Sequence, residues 1–310
     1  MIRMDALVMD LLKGSPRIVN IYSYCGGSVH VEAIHGPSIT ELVELQKRSE
    51  MDNPPPMLTP KAKLNLALEM AEGLAELHGF KDGPITHHDI QIGQYLIDEN
   101  HHARMSDFNR ADPLLFDIKE QKYCDVVSGS AMGEVRSPEE YRMLDVNEKI
   151  DVYSFGNIIF TLLTGQYPYE DVFDDDLYEV GDLAAHGVTP DVNAEIRGNS
   201  FAESALASVM DKCYEYHSEK RINIFTVISL LQSAAELNNR LESIEVSQIT
   251  PGATTSGEDN ETHPEKNQNW ELYHQNENED YYYYGTDDEH EERDEEDEYY
   301  PHGELRLRRR

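Results

Sequence analysis

Residues 85–109 read ITHHDIQIGQYLIDENHHARMSDFN. Two short strand-like runs, 95–97 and 103–105, flank the turn formers Asp98-Glu99-Asn100. Asp89 follows His87-His88 on one side of this unit, and Asp107 precedes Phe108-Asn109 on the other. Downstream, Ser137-Pro138-Glu139 comes before a run at 151–164 that is apolar nearly all round, with Val152, Phe155, Ile158, Ile159, Phe160, Leu162 and Leu163. A helix of that kind belongs in the middle of a core. Gly165 and Pro168 end it.

Upstream, residues 60–78 give the clearest amphipathic helix, with a stripe of Leu64, Ala67, Leu68, Ala71, Leu74, Ala75 and His78. The spacing predicts a further helix over 4–13 with Leu7, Val8, Leu11 and Leu12 on one face, stopped by Gly14-Ser15-Pro16. Alternation at 18–24 and 28–34 around Gly26-Gly27 predicts a hairpin. Ser38 is placed to cap a short helix, residues 53–56 form a loop, and helices are expected at 201–214 and 223–240.

Composition narrows the function classes. The net charge is -34. Residues 251–310 hold 19 acidic and 6 basic side chains, so the body is acidic in its own right. An acidic surface repels phosphate backbones and anionic lipid, which argues against nucleic-acid and membrane partners. No run approaches the ~20 apolar residues that span a bilayer. Three widely spaced cysteines suit neither a disulfide framework nor a C-x-x-C metal site and point to a reducing intracellular compartment, the cytoplasm first. Adjacent histidines (87-88 and 101-102) make a poor metal site.

The stretch 85–109 resembles the catalytic loop and metal-binding turn of the protein kinase superfamily, whose pattern is H-R-D-L-x-x-x-N followed by D-F-G. His87-His88-Asp89 stands at H-R-D and Asp107-Phe108-Asn109 at D-F-G. Ser137-Pro138-Glu139 resembles the A-P-E that closes the activation segment. DVYSFG at 151–156 with LLTG at 162–165 resembles the buried central helix, in wording closest to the tyrosine-kinase-like group. CYEYHSEKR at 213–221 resembles the segment whose arginine pairs with the A-P-E glutamate, here Arg221 with Glu139.

The resemblance implies an α+β, protein-kinase-like fold with a mainly helical large lobe and only a remnant of the small β lobe. Its divisions are 1–36 (small-lobe remnant and hinge), 37–245 (large lobe) and 246–310 (acidic disordered tail). It implies ATP- and magnesium-dependent phosphoryl transfer to protein hydroxyls, with a protein substrate or docking partner. Asp89 would accept the hydroxyl proton. Asp107 would hold magnesium, with Gln94 at the position of the second metal ligand. Glu32 and Ile34 would bond adenine through the hinge backbone, with Val31 as gatekeeper, while His87, Glu139, Asp151 and Arg221 hold the frame.

Several positions depart from the family pattern. His88 replaces the arginine that grips an activation-loop phosphate, although Tyr123, Ser128 and Ser130 lie in that loop. Gln91 replaces the catalytic-loop lysine, which removes a positive charge from the transferring phosphoryl group. Asn109 replaces the D-F-G glycine and is expected to take its positive φ. Asp5 aligns near the small-lobe glutamate and is expected to lack its lysine partner. No Gly-rich loop and no V-A-I-K lysine occurs in 1–310. These departures motivate a second reading, a pseudokinase that works as a binding or scaffold module. The tail carries tyrosines at 273, 281–284, 299 and 300 among acidic residues, and arginines at 306 and 308–310.

Overall fold

The computed structural model describes residues 2–26, 28–44, 58–124, 126–127, 133, 135–170 and 177–249. The expectations placed on residues 53–56, on Ser128 and Ser130, and on the acidic segment from 250 onward lie outside the described residues.

The chain opens with helix α1 (Ile2–Leu11) and an antiparallel hairpin, β1 (Ile21–Cys25) with β2 (Ser28–Val31). Helix α1 buries Ala6, Val8, Met9 and Leu12, while Leu7 and Leu11 are exposed. This corrects the single face predicted for the helix. At 100° per residue, Val8, Met9 and Leu12 share a stripe, and Leu7 and Leu11 fall on the opposite flank. The hairpin is tied to the body by its lead-in. Met105 N–H donates to Arg17 O (2.8 Å) and Val19 N–H to Met105 O (2.9 Å).

Helix α2 (Pro60–His78) starts where Thr59 Oγ1 accepts from Ala62 N–H at 3.2 Å and Pro60 supplies a preset φ. Its buried side includes Leu64, Ala67, Met70, Ala71, Leu74 and Leu77. Strands β3 (Ile85–Thr86), β4 (Tyr95–Ile97) and β5 (Ala103–Met105) follow, with β4 and β5 paired antiparallel, Tyr95 opposite Met105. Asp98 Oδ1 closes their turn by accepting from Asn100 and His102 N–H. The chain at Gly36 passes so close that an added Cβ would sit 2.1 Å from Ile97 O, so only glycine fits there.

The next stretch is a series of two-residue strands: β6 (Asp112–Pro113) on β3, β7 (Phe116–Asp117) with β8 (Lys122–Tyr123), and β9 (Val126–Val127) with β10 (Asp145–Val146). Between β9 and β10 lies α3 (Pro138–Tyr141), started by a capping box of Ser137 and Glu140. Helix α4 (Lys149–Thr164) is buried on every side from Ile150 to Leu163 and ends at Gly165 with φ 72°. Around it lie α5 (Leu177–Ala185), α6 (Ala194–Asn199), α7 (Phe201–Cys213) and α8 (Ile224–Ile249). Helix α7 packs on α4, and α8 packs on α2 and α7. Among the described residues no helix is long and apolar enough to cross a membrane. The result is a mainly helical body with a small hairpin portion.

Candidate functional site

The site is built on Asp151, in the first turn of buried helix α4. Its Oδ2 accepts from His87 N–H at 2.7 Å and its Oδ1 from His88 N–H at 2.9 Å. His78, at the end of α2, adds an Nε2 contact to Oδ2 at 3.0 Å. Burial pushes the Asp151 carboxyl up, but the His78 hydrogen bond and the facing histidines more than offset it, and the net direction is downward. One buried carboxylate therefore fixes the loop that carries Asp89.

His87 is fully buried. Its ring lies 5.4 Å from that of Phe108, and Nε2 sits 3.4 Å from Ser106 O. Burial lowers its pKa against the raising influence of Asp151, the Ser106 carbonyl, Asp89 and Asp107, so the neutral ring is favoured. His88 takes φ 61° and places Nε2 3.7 Å from Asp112 Oδ2.

Asp89 sits between two donors. Arg136 reaches its Oδ1 at 2.9 Å and Gln94 Nε2 its Oδ2 at 3.2 Å. Arg136 also donates to His88 O. Its guanidinium is buried, beside the buried Glu140 as well. Burial raises the Glu140 carboxyl, an effect partly offset by Ser137 and Arg136. Gln91 carries no charge, so the cation that faces Asp89 comes from position 136.

Gln94 and Asp107 are held as neighbours by the β4–β5 unit. Ser106 N–H donates to Gln94 O at 2.9 Å, and Asp107 follows directly. Asp107, with φ 60°, carries the positive φ expected at Asn109. A non-glycine residue held there marks a constrained site. Phe108 N–H donates to Asp5 Oδ1 at 2.9 Å. Asp5 thus accepts from the backbone of the Asp107-Phe108 turn. Burial raises its pKa, with the Phe108 bond opposing. Asp107 and Gln94 both carry side-chain oxygens, the donor type that a hard cation such as magnesium takes. Among the described residues there is no group of three or more His, Cys, Asp or Glu placed to hold a metal by itself.

Glu32 lies elsewhere. Its carboxylate is engaged by Asn20 (N–H 2.8 Å, Nδ2 3.1 Å) and by Arg104. The Glu32 N–H is also taken, donating to Asn20 O at 2.9 Å, and Val31 beside it is exposed. Ile34 is half-buried. On the far side of the activation segment, Arg221 Nη2 reaches Glu139 Oε1 at 2.8 Å in the core. Arg221 also donates to Glu215 O and Lys149 O at 2.8 Å and lies over the Tyr153 ring at 5.0 Å. The sequence pattern did not single out Arg136 or the Asp5–Phe108 bond. Both bridge distant parts of the chain, and only the directly adjoining Ser-Pro-Glu hinted that position 136 nears the loop.

A profile of the family described as protein tyrosine and serine/threonine kinase matches residues 1–231. Wall-associated receptor kinase-like 18 of Arabidopsis thaliana is 31% identical over 196 residues, 58% of this chain and 24% of that protein. PTI1-like tyrosine-protein kinase 2 of the same plant is 28% identical over 202 residues, 63% of this chain and 54% of its own length. LRR receptor-like serine/threonine-protein kinase FEI 2, also from Arabidopsis thaliana, is 28% identical, with 70% of this chain and 36% of that protein covered. The chain thus spans between about a quarter and about half of these relatives.

Proposed function

The chain belongs to the protein tyrosine and serine/threonine kinase family, and from that premise we propose that it transfers the γ-phosphoryl group of ATP to a hydroxyl of a protein substrate. The observation that supports this reading is that Asp151 fixes the loop carrying Asp89, Gln94 bonds Asp89, and Ser106, directly before Asp107, bonds the Gln94 backbone.

Phosphoryl transfer passes through a loose transition state, so positioning and charge matter most. Magnesium-bound ATP is the co-substrate, and the metal offsets charge on its phosphate oxygens. Asp107 and Gln94 would hold that metal. Asp89 orients the substrate hydroxyl and takes its proton as the new O–P bond forms and the bond to the β–γ bridging oxygen breaks, releasing ADP. The backbone at Glu32 and Ile34 meets the adenine. Neutral His87, packed on Phe108, holds both acidic segments in register. Three unpaired cysteines support a reducing intracellular setting.

A second reading, a pseudokinase acting by docking, is favoured by one observation: both Asp89 oxygens are already engaged by side chains. One experiment separates the two. The full chain is melted with and without magnesium-ATP and assayed with radiolabelled ATP on a generic protein substrate. The enzyme reading expects a magnesium-dependent rise in Tm that Asp107→Ala abolishes, and transfer that falls at least 100-fold in Asp89→Asn. No thermal shift and no transfer would leave docking as the function.

A further inference from the structure

The family's lysine two positions after the catalytic aspartate is absent here, since position 91 is glutamine. Yet Asp89 is not without a cation. Arg136 lies 47 positions away in sequence, is 6% exposed, and sets Nη2 2.9 Å from Asp89 Oδ1. Its other amino group donates to His88 O. The planar fork thus grips the catalytic loop by one backbone oxygen and one carboxylate oxygen at once, which a lysine ammonium does only as a point charge.

The platform behind Arg136 is rigid. The next residue, Ser137, caps α3 through Glu140, and Glu139 is fastened to Arg221 at 2.8 Å. On the other side, Ser154 Oγ and Asn157 Nδ2, both on α4, donate to Val135 O at 2.7 and 3.2 Å. The same helix α4 carries Asp151, which holds Asp89's loop. Both partners of the ion pair are therefore positioned from one buried helix. Gln91 and Val135, the residue before Arg136, line the same small cavity.

We propose that Arg136 is a positioning residue that replaces the missing lysine: it supplies the counter-charge of Asp89 from the activation segment instead of from the catalytic loop. The charge at the transfer site then depends on this segment being seated, so seating and catalytic competence are one event. Burial makes the pair strong in both directions. A guanidinium in low-dielectric surroundings is effective at fixing a carboxylate, and removing it leaves that carboxylate without its counter-charge. The catalytic part of this proposal rests on the phosphoryl-transfer reading above; the pairing part does not.

The test compares the full chain as wild type, Arg136→Met, Arg136→Met with Gln91→Lys, and Arg136→Met with Gln91→Met. Two quantities are read: Tm, and kcat and KM for phosphoryl transfer to a generic protein substrate. The expected result is that Arg136→Met lowers Tm and lowers kcat 10- to 100-fold with little change in KM for ATP. Gln91→Lys then restores both, and the uncharged Gln91→Met does not. A purely structural Arg136 gives the Tm loss without charge-specific rescue, and that result overturns the proposal. So does an Arg136→Met chain indistinguishable from wild type. If the wild-type chain transfers no phosphate, the enzyme reading has failed by itself. The relocated counter-charge is then judged on Tm alone, where rescue by lysine and not methionine sustains it and absence of rescue ends it.

Discussion

The helical body and the opening portion (α1 with the β1–β2 hairpin) differ in what stands at their centres. In the body, helix α4 is buried on every side, and its charged neighbours are paired: Asp151 with His78 and two backbone amides, Glu139 with Arg221, Lys63 with Glu203. In the opening portion, Leu7 (47%), Tyr22 (70%), Tyr24 (64%) and Val31 (41%) are exposed, and the sheet has two strands. Both portions expose apolar side chains, Leu115 (71%) and Ile118 (79%) in the body among them, but among the described residues it is the body that encloses a helix on every side. Substitutions of similar size should therefore cost very different amounts in the two regions.

The largest expected effect is in the body. Arg221→Met removes a fully buried guanidinium that serves Glu139 and three carbonyls, and Glu139 Oε2 already lacks a partner. A one-sided break of a buried pair costs about 3–5 kcal/mol. For a domain of this size that is a fall of roughly 10 °C in Tm. A melt within 2 °C or so of wild type would mean that the body tolerates a buried lone carboxylate, and the contrast between regions would collapse.

The extent to which this could be read from the sequence follows the same divide. Helix α2 was legible from its apolar stripe, and α4 from its near-continuous apolarity and the stop at Gly165. The β4–β5 unit was legible from its Asp-Glu-Asn turn. Helix α8 outran its predicted end at 240 because no glycine or proline interrupts 241–249. The face of α1 was misread because leucines stand on both flanks, and tertiary packing chose Val8 and Met9. The acidic loops at 89 and 107 were visible as motifs. Their actual partners, Arg136 and Asp5, were not, since a contact across 47 or 103 positions leaves no local pattern.

A middle-sized effect concerns pH. Burial holds His87 below its ordinary value near 6.5, with Asp151, Asp89, Asp107 and the Ser106 carbonyl facing it. In the unfolded chain the ring takes up a proton near 6.5, and in the folded chain only at lower pH. The unfolded state therefore binds more protons in the window below 6.5, and stability falls as pH drops through it. One such group contributes a slope of at most about 1.4 kcal/mol per pH unit. Urea denaturation between pH 7 and 5 should show this slope, reduced in His87→Phe, whose ring keeps the contact with Phe108. An unchanged slope would mean that His87 does not set the pH response.

The smallest effect sharpens the comparison from the other side. Leu7→Gln and Leu11→Gln keep good helix formers on the exposed flank of α1, and each should change stability by no more than about 0.5 kcal/mol. Met9→Ala, two positions from either leucine, empties a site that is 2% exposed and should cost about 2–5 kcal/mol. Helicity alone does not separate these variants, because alanine is the best helix former of the three. The difference therefore reports burial. Should Leu7→Gln cost as much as Met9→Ala, the outer flank of α1 is covered in solution, and the opening portion is as closed as the body. Near-neutral leucine variants beside a costly Met9→Ala instead fix the boundary of the packed core within a single helical turn.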